Sequence, residues 1–88
     1  MNIVAPSPEL QRTPQVDEIW EDLTPGYHRL VRVCTVRDTT VAIERVERHG
    51  TPPSHSYVRA RRAVRRSTAL DRFNGKAYGF RFVERYAK

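Results

Sequence analysis

The sequence predicts a mainly β protein: one small antiparallel sheet that curls on itself, behind a flexible amino-terminal tail. Three observations lead there. A run dense in valine and threonine, "YHRLVRVCTVRDTTVAIERVER" (Tyr27–Arg48), is interrupted by the polar "RDTT". Apolar residues fall on both alternating faces of its first half, as in a sheet that curls on itself. The later "AYGFRFVERY" alternates aromatic with basic residues behind an Asn74–Gly75 turn.

Taken in chain order, residues 1–14 carry Pro6, Pro8 and Pro14 among few apolar side chains, so they read as a flexible tail, with residues 15–88 forming one domain. "PSPELQRTP" would also serve as a polyproline segment docking on a partner. In "VDEIWEDL" (Val16–Leu23), Val16, Ile19, Trp20 and Leu23 have helix-like spacing. Pro14 and "TPG" leave little room for a helix, so a short irregular or extended segment is expected. Trp20, the single tryptophan, is expected to anchor the core. Tyr27–Arg48 then reads as an antiparallel hairpin turning at Asp38. Val31 and Val33 would share one face, and Leu30, Arg32, Cys34 and Val36 the other. "HGTPPSHS" (His49–Ser56) is a loop set by Gly50, Pro52 and Pro53. "ALDRF" suggests a short helical turn. In the last strand Tyr78, Phe80 and Phe82 would line the inner side, with Arg81 and Arg85 outside.

A chain of 88 residues buries only about 60–65% of its unfolded surface. That supports one core and leaves little volume for a deep pocket, which argues against an enzyme. No apolar run is long enough to span a membrane, and "MNIVAPSPEL" lacks the basic and apolar regions of a secretory signal. Cys34 is the only cysteine. It cannot form an internal disulfide, which fits a reducing cytoplasm, and within "LVRVCTV" it reads as a small core residue.

Charge is unevenly placed. Residues 1–24 hold one base, Arg12, against five acids; the rest of the chain holds fifteen bases against five acids. Such a body attracts polyanions. Fourteen of the sixteen bases are arginine, which suits bidentate contact with phosphate, although a GC-rich genome favours arginine too. The densest stretch is "YVRARRAVRR" (Tyr57–Arg66). As a strand it would put Val58, Ala60 and Val64 on one face, interrupted by Arg62 and Arg66, and Tyr57, Arg59, Arg61, Ala63 and Arg65 on the other. As a helix, Tyr57, Ala60, Ala63 and Val64 would form an apolar stripe. Periodicity does not decide between them. Arg59, Arg61, Arg62, Arg65 and Arg66 are the candidate anion contacts, with Arg32, Arg45 and Arg81 extending the patch. Tyr57, with Tyr27, Tyr78 and Tyr86, is a candidate stacking surface. The competing reading is a plain solvated run of charge.

Other chemistry is not signalled. His28, His49, His55 and Cys34 match no common zinc spacing. Asp17, Glu18, Glu21 and Asp22 read as an acidic surface patch around Trp20 rather than an acid–base pair. "NGKAYG" lacks the spacing of a phosphate loop. Ser54, Ser56 and Ser67 sit in no nucleophile motif. No cofactor is implied.

The succession "VDEIWEDL", "RLVRVCTVRDTTVAIERVE", "RRSTALDRF" and "YGFRFVER" resembles small uncharacterised proteins of actinobacteria and their phages. Those carry a V-[YW]-E-D opening, a Val-rich arginine hairpin, an R-R-x-R-[IV]-x-L-x-R-[FL] segment and a terminal Y-R-L-V-like strand. The resemblance spans roughly residues 16–85. It implies an SH3-like β-barrel of about five antiparallel strands, with a short helical turn before the last. It tips the arginine stretch toward strand near Arg65–Thr68. "HGTPPSHSYVRARRA" is an insertion relative to that pattern, so residues 57–64 remain open to a helix or a long hairpin arm. The family brings no catalytic residues. SH3-like barrels host nucleic-acid and peptide binders alike.

The expected function is thus a non-enzymatic basic module that contacts nucleic-acid phosphates, DNA or RNA, through its arginine-rich segment. The alternative is a protein-interaction module, such as a phage accessory factor engaging an acidic host protein. A structural oligomer with aromatic residues buried between copies is a third possibility.

Overall fold

The structure is a computed structural model and describes residues 12–86. Six strands form one antiparallel sheet: β1 (Glu18–Asp22), β2 (Arg29–Val36), β3 (Thr40–His49), β4 (Ser56–Arg59), β5 (Arg66–Ala69) and β6 (Phe80–Arg85). The only helical element among the described residues is a 3-10 turn, Leu70–Arg72, between β5 and β6. Strand order is β4-β3-β2-β1-β6, and β5 also pairs with β3. The sheet is open.

β2 and β3 form the expected hairpin around Asp38, where Arg37 N–H donates to Thr40 O at 2.8 Å. β3 has β2 along one edge, so β4 and β5 must share the other. β4 takes Val46–His49 and β5 takes Thr40–Ile43. This resolves the arginine stretch. It is neither one strand nor a helix. β4 ends at Arg59; Ala60 N–H still reaches Arg45 O at 2.9 Å, and Ala63 N–H closes a turn onto Ala60 O at 3.0 Å. Arg62 completes the turn at φ 63°, a left-handed geometry that costs a non-glycine residue about 1–2 kcal/mol. Ala60 and Ala63 are buried because their small side chains let the turn lie on the sheet, whereas Val58 and Val64 are exposed. The expected two-faced strand therefore does not form.

Trp20 and Ile19 are adjacent and fully buried on opposite faces. Trp20 centres one cluster with Val31, Val33, Val41, Ile43, Phe73 and Phe80. Its indole meets Phe73 edge-on at 4.9 Å, and Phe73 stacks on Phe80 at 4.7 Å. Ile19 packs with Val46 and Tyr57 in a second cluster.

Four local expectations are corrected. The ladder slips between Val33 and Thr35, so Cys34 occupies a bulge, half-buried and outside both clusters. The extra residue reverses the face of the last residues of β2, and Val36 joins Val33 against the Trp20 cluster. Tyr78 precedes β6 at φ 67° and is 64% exposed, so it does not line the inner side with Phe80. Glu18 and Asp22 are buried, not part of an acidic surface patch. Finally, residues 12–14 fall in the expected tail, yet Arg12 donates two hydrogen bonds to Glu18 and Pro14 is buried; residues 1–11 lie outside the described residues.

Candidate nucleic-acid interface

Strand register assembles a basic groove on the Trp20 face. Trp20 pairs with Val31, and Val31 with Arg45, so Arg45 extends the inner face beyond the apolar core. Asp22 pairs with Arg29 two residues along. Across β3, Ile43 pairs with Arg66. The Ala60–Arg65 turn then brings Arg61 and Arg62 to the same place. The result is a groove of about 420 Å³ whose walls are Arg29, Arg45, Arg61, Arg62 and Arg66, with Asp22 as the single acid. Val31, Ile43, Ala63 and Val64 make its apolar parts.

These five arginines form no ion pair among the described residues. Asp22 Oδ1 accepts from Thr24 N–H at 2.9 Å, and its nearest guanidinium is that of Arg72, at 3.9 Å. Arg29 lies over the Tyr27 ring at 4.0 Å, and its buried Nε has no hydrogen-bond partner. Tyr27 is 49% exposed beside it. The groove continues into a smaller cleft of about 160 Å³ that shares Asp22, Ile43 and Arg66 and adds Thr68 and Arg72. Arg72 is fixed there by donating to Thr68 Oγ1 at 3.0 Å and Tyr78 O at 2.8 Å, and it lies 4.6 Å from the Phe80 ring centre. Beyond Arg72 the surface opens toward Lys76 and Tyr78.

The residues expected from sequence divide. Arg45, Arg61, Arg62 and Arg66 meet in the groove. Arg65 is exposed outside it. Arg59 turns back to Ala63 O at 2.6 Å and lies 3.8 Å from Glu44. Arg32 sits on the opposite face, bonded to Glu44 at 2.7 Å and 3.5 Å from Asp17; the Glu44 hydrogen bond raises its pKa further. Arg81 is paired with Glu21. The side-by-side display expected of "YVRARRAVRR" is thus replaced by a cluster drawn from β2, β3, β5 and one turn.

Tyr57 is not available for stacking. It is buried, and its hydroxyl donates to Glu84 at 2.5 Å. Burial and that bond push its pKa up to about 12. The same bond, with His55 Nε2 at 2.6 Å from the same oxygen, holds Glu84 below its ordinary value. Tyr86 packs against Tyr57 at 5.0 Å, whereas Tyr27 and Tyr78 are the exposed tyrosines. Sequence reasoning missed Arg29, Asp22 and Arg72. Alternation signals Arg29, two residues before Val31, but the cross-strand partners come only from register.

Among the described residues no group of three His, Cys, Asp or Glu side chains is placed to hold a metal ion, and no helix is long and apolar enough to cross a membrane. No protein family, curated protein or solved structure matches this chain.

Proposed function

We propose that this chain is a non-enzymatic nucleic-acid-binding module whose arginine groove receives backbone phosphates. The observation that carries the reading is the convergence of Arg29, Arg45, Arg61, Arg62 and Arg66 on one concave surface without a paired carboxylate. Solvated charge runs diverge into water; five guanidiniums around an apolar floor hold a common anion site. The fold reading that accompanies this is an SH3-like barrel. Its support is the path β6-β1-β2-β3-β5, with the 3-10 turn just before the last strand and β4 as an added arm. A cytoplasmic setting, and an origin among actinobacterial or phage proteins, rest on the single cysteine and the sequence resemblance.

The test is fluorescence anisotropy with a labelled oligonucleotide across a salt series. Five neutralised phosphates give a slope of log K against log salt of about −3.5 on a single strand. Replacing Arg61, Arg62 and Arg66 by Gln makes that slope shallower by about 2, while Arg37→Gln, in the β2–β3 turn, leaves it nearly unchanged. Affinity indifferent to salt would overturn the reading. A second reading, a protein-interaction module, is favoured by the open sheet, whose outer edge at β6 can accept a strand. Protein purified without nuclease separates the two. Nucleic acid that leaves in high salt supports the first, and clean protein that retains one acidic partner supports the second.

A further inference from the structure

We infer that the groove takes single-stranded rather than duplex nucleic acid, with phosphates on its arginines and a base stacked on Tyr27. This rests on the nucleic-acid reading above and specifies its substrate.

Among the described residues the fold offers no basic element to insert into a duplex. Major-groove readout needs an α-helix or a two-stranded β-ribbon. The only helical element among the described residues is the three-residue 3-10 turn. The available ribbon is the β3–β4 arm, and its exposed end carries Glu47, Arg48, His49, Pro52 and Pro53, a nearly neutral set. The densest group of arginines lies instead in a concavity, where the convex phosphate ridges of a duplex gain only rim contacts.

The concavity is built for bases as well as phosphates. Val64, 71% exposed, forms an apolar lip beside Arg61 and Arg62. Phosphate alone has no use for such a surface; an unstacked base does. Tyr27 supplies an aromatic platform, with the Arg29 guanidinium 4.0 Å from its ring centre and the residue 49% exposed. A second exposed ring, Tyr78, lies past Arg72 at the far end of the track. The loops that carry the two tyrosines are tied together by the Leu23 N–H to Gly79 O bond at 2.8 Å. A flexible strand that turns its bases outward can track this path; a stiff duplex with paired bases cannot.

The experiment uses the full chain and three probes: a labelled twelve-residue oligothymidylate, a duplex of the same length, and inorganic polyphosphate as charge without bases. The expected result is at least tenfold tighter binding of the single strand than of the duplex. Tyr27→Ala weakens oligothymidylate about 5- to 100-fold, Tyr27→Phe restores most of that loss, and polyphosphate binding is unchanged in both variants. Equal or tighter duplex binding overturns the inference. So does an unaffected Tyr27→Ala variant, and in either case the nucleic-acid reading survives if Arg61, Arg62 and Arg66 still set the salt slope. Failure of both oligonucleotides to bind in a salt-dependent way overturns the nucleic-acid reading itself.

Discussion

Glu18 offers the sharpest test of how this small fold holds together. Its side chain is fully buried and accepts four hydrogen bonds, divided between its two oxygens. Oε1 takes Gln15 N–H at 3.0 Å and the Trp20 indole N–H at 3.1 Å. Oε2 takes Arg12 Nε at 2.9 Å and Nη2 at 2.5 Å. Glu18→Gln keeps the first pair and points an amide NH2 at the guanidinium. Arg12 is 35% exposed and can turn to water, so the loss is about 1.5–3 kcal/mol, that of a charge-assisted bond rather than of a fully buried ion pair. Glu18→Ala removes all four bonds and strands the Trp20 N–H in the core, for about 3–5 kcal/mol. A domain of this size is stable by about 4–12 kcal/mol, so the alanine variant has a substantial unfolded population. Urea unfolding monitored by the fluorescence of Trp20, the single tryptophan, reads both. The glutamine variant is expected to fall between wild type and alanine, and Arg12→Ala to cost little more once Glu18 is already Gln. Equal midpoints for Gln and Ala would refute the split between the two oxygens. A glutamine variant within about 0.5 kcal/mol of wild type, the usual range of surface changes, would show that Arg12 contributes nothing.

Tyr57→Phe removes the bond to Glu84. The Tyr57 pKa is raised from 10.0 to about 12, so the wild-type advantage is complete below pH 10 and declines as pH rises toward about 12, where the unfolded tyrosine ionises first. The lowered Glu84 acts oppositely, and the advantage also shrinks as pH falls below 4.5 and through the folded value; urea midpoints for both proteins across pH check the two limbs. Asp22→Asn keeps the acceptor for Thr24 N–H and removes the groove's acid. Oligonucleotide binding at low salt should tighten about fivefold, a gain on the order of 1 kcal/mol, and unchanged affinity would place Asp22 away from the ligand. A Cβ at Gly79 would lie 2.5 Å from both Arg72 O and Asn74 Oδ1, whereas one at Gly26, at φ 86°, meets nothing within 4 Å. Gly79→Ala should therefore lower the thermal midpoint through an overpacking cost of about 1–3 kcal/mol, and Gly26→Ala through left-handed backbone strain of about 1–2 kcal/mol; an unchanged midpoint in either variant would refute its account.

The hairpin of β2 and β3 was legible because alternating valines and a polar turn are local signals, and Trp20 because a lone large apolar residue has few places to go. The break between β4 and β5 was not. Arginine tolerates strand, helix and turn alike, so "YVRARRAVRR" carries no period; its shape is set by β3, whose one free edge pairs with Arg59 along one stretch and with Arg66 along another, with a turn between. The buried acids were missed for a related reason. Glu18 belongs in the interior only because Arg12 and Trp20 supply donors, and those partners are a tertiary fact. The candidate site shows the same limit. Four of its arginines were named from composition, but Arg29 joined them through the β1–β2 register, and Tyr57 left the set because the ladder turned its ring inward.

The placement of carboxylates decides which arginines remain available. Glu18 takes Arg12, Glu44 and Asp17 take Arg32, and Glu21 takes Arg81. All four acids lie on or next to β1 or on the β3 segment that faces it through β2. These pairings leave the groove with Asp22 alone. Guanidiniums gathered in this way repel one another, the more so at low salt. A sequence selected for stability alone would place an acid opposite Arg45 or Arg66, as it does opposite Arg32 and Arg81. The groove's five arginines have no such partner among the described residues, and that vacancy of carboxylates is what the proposed anion site requires.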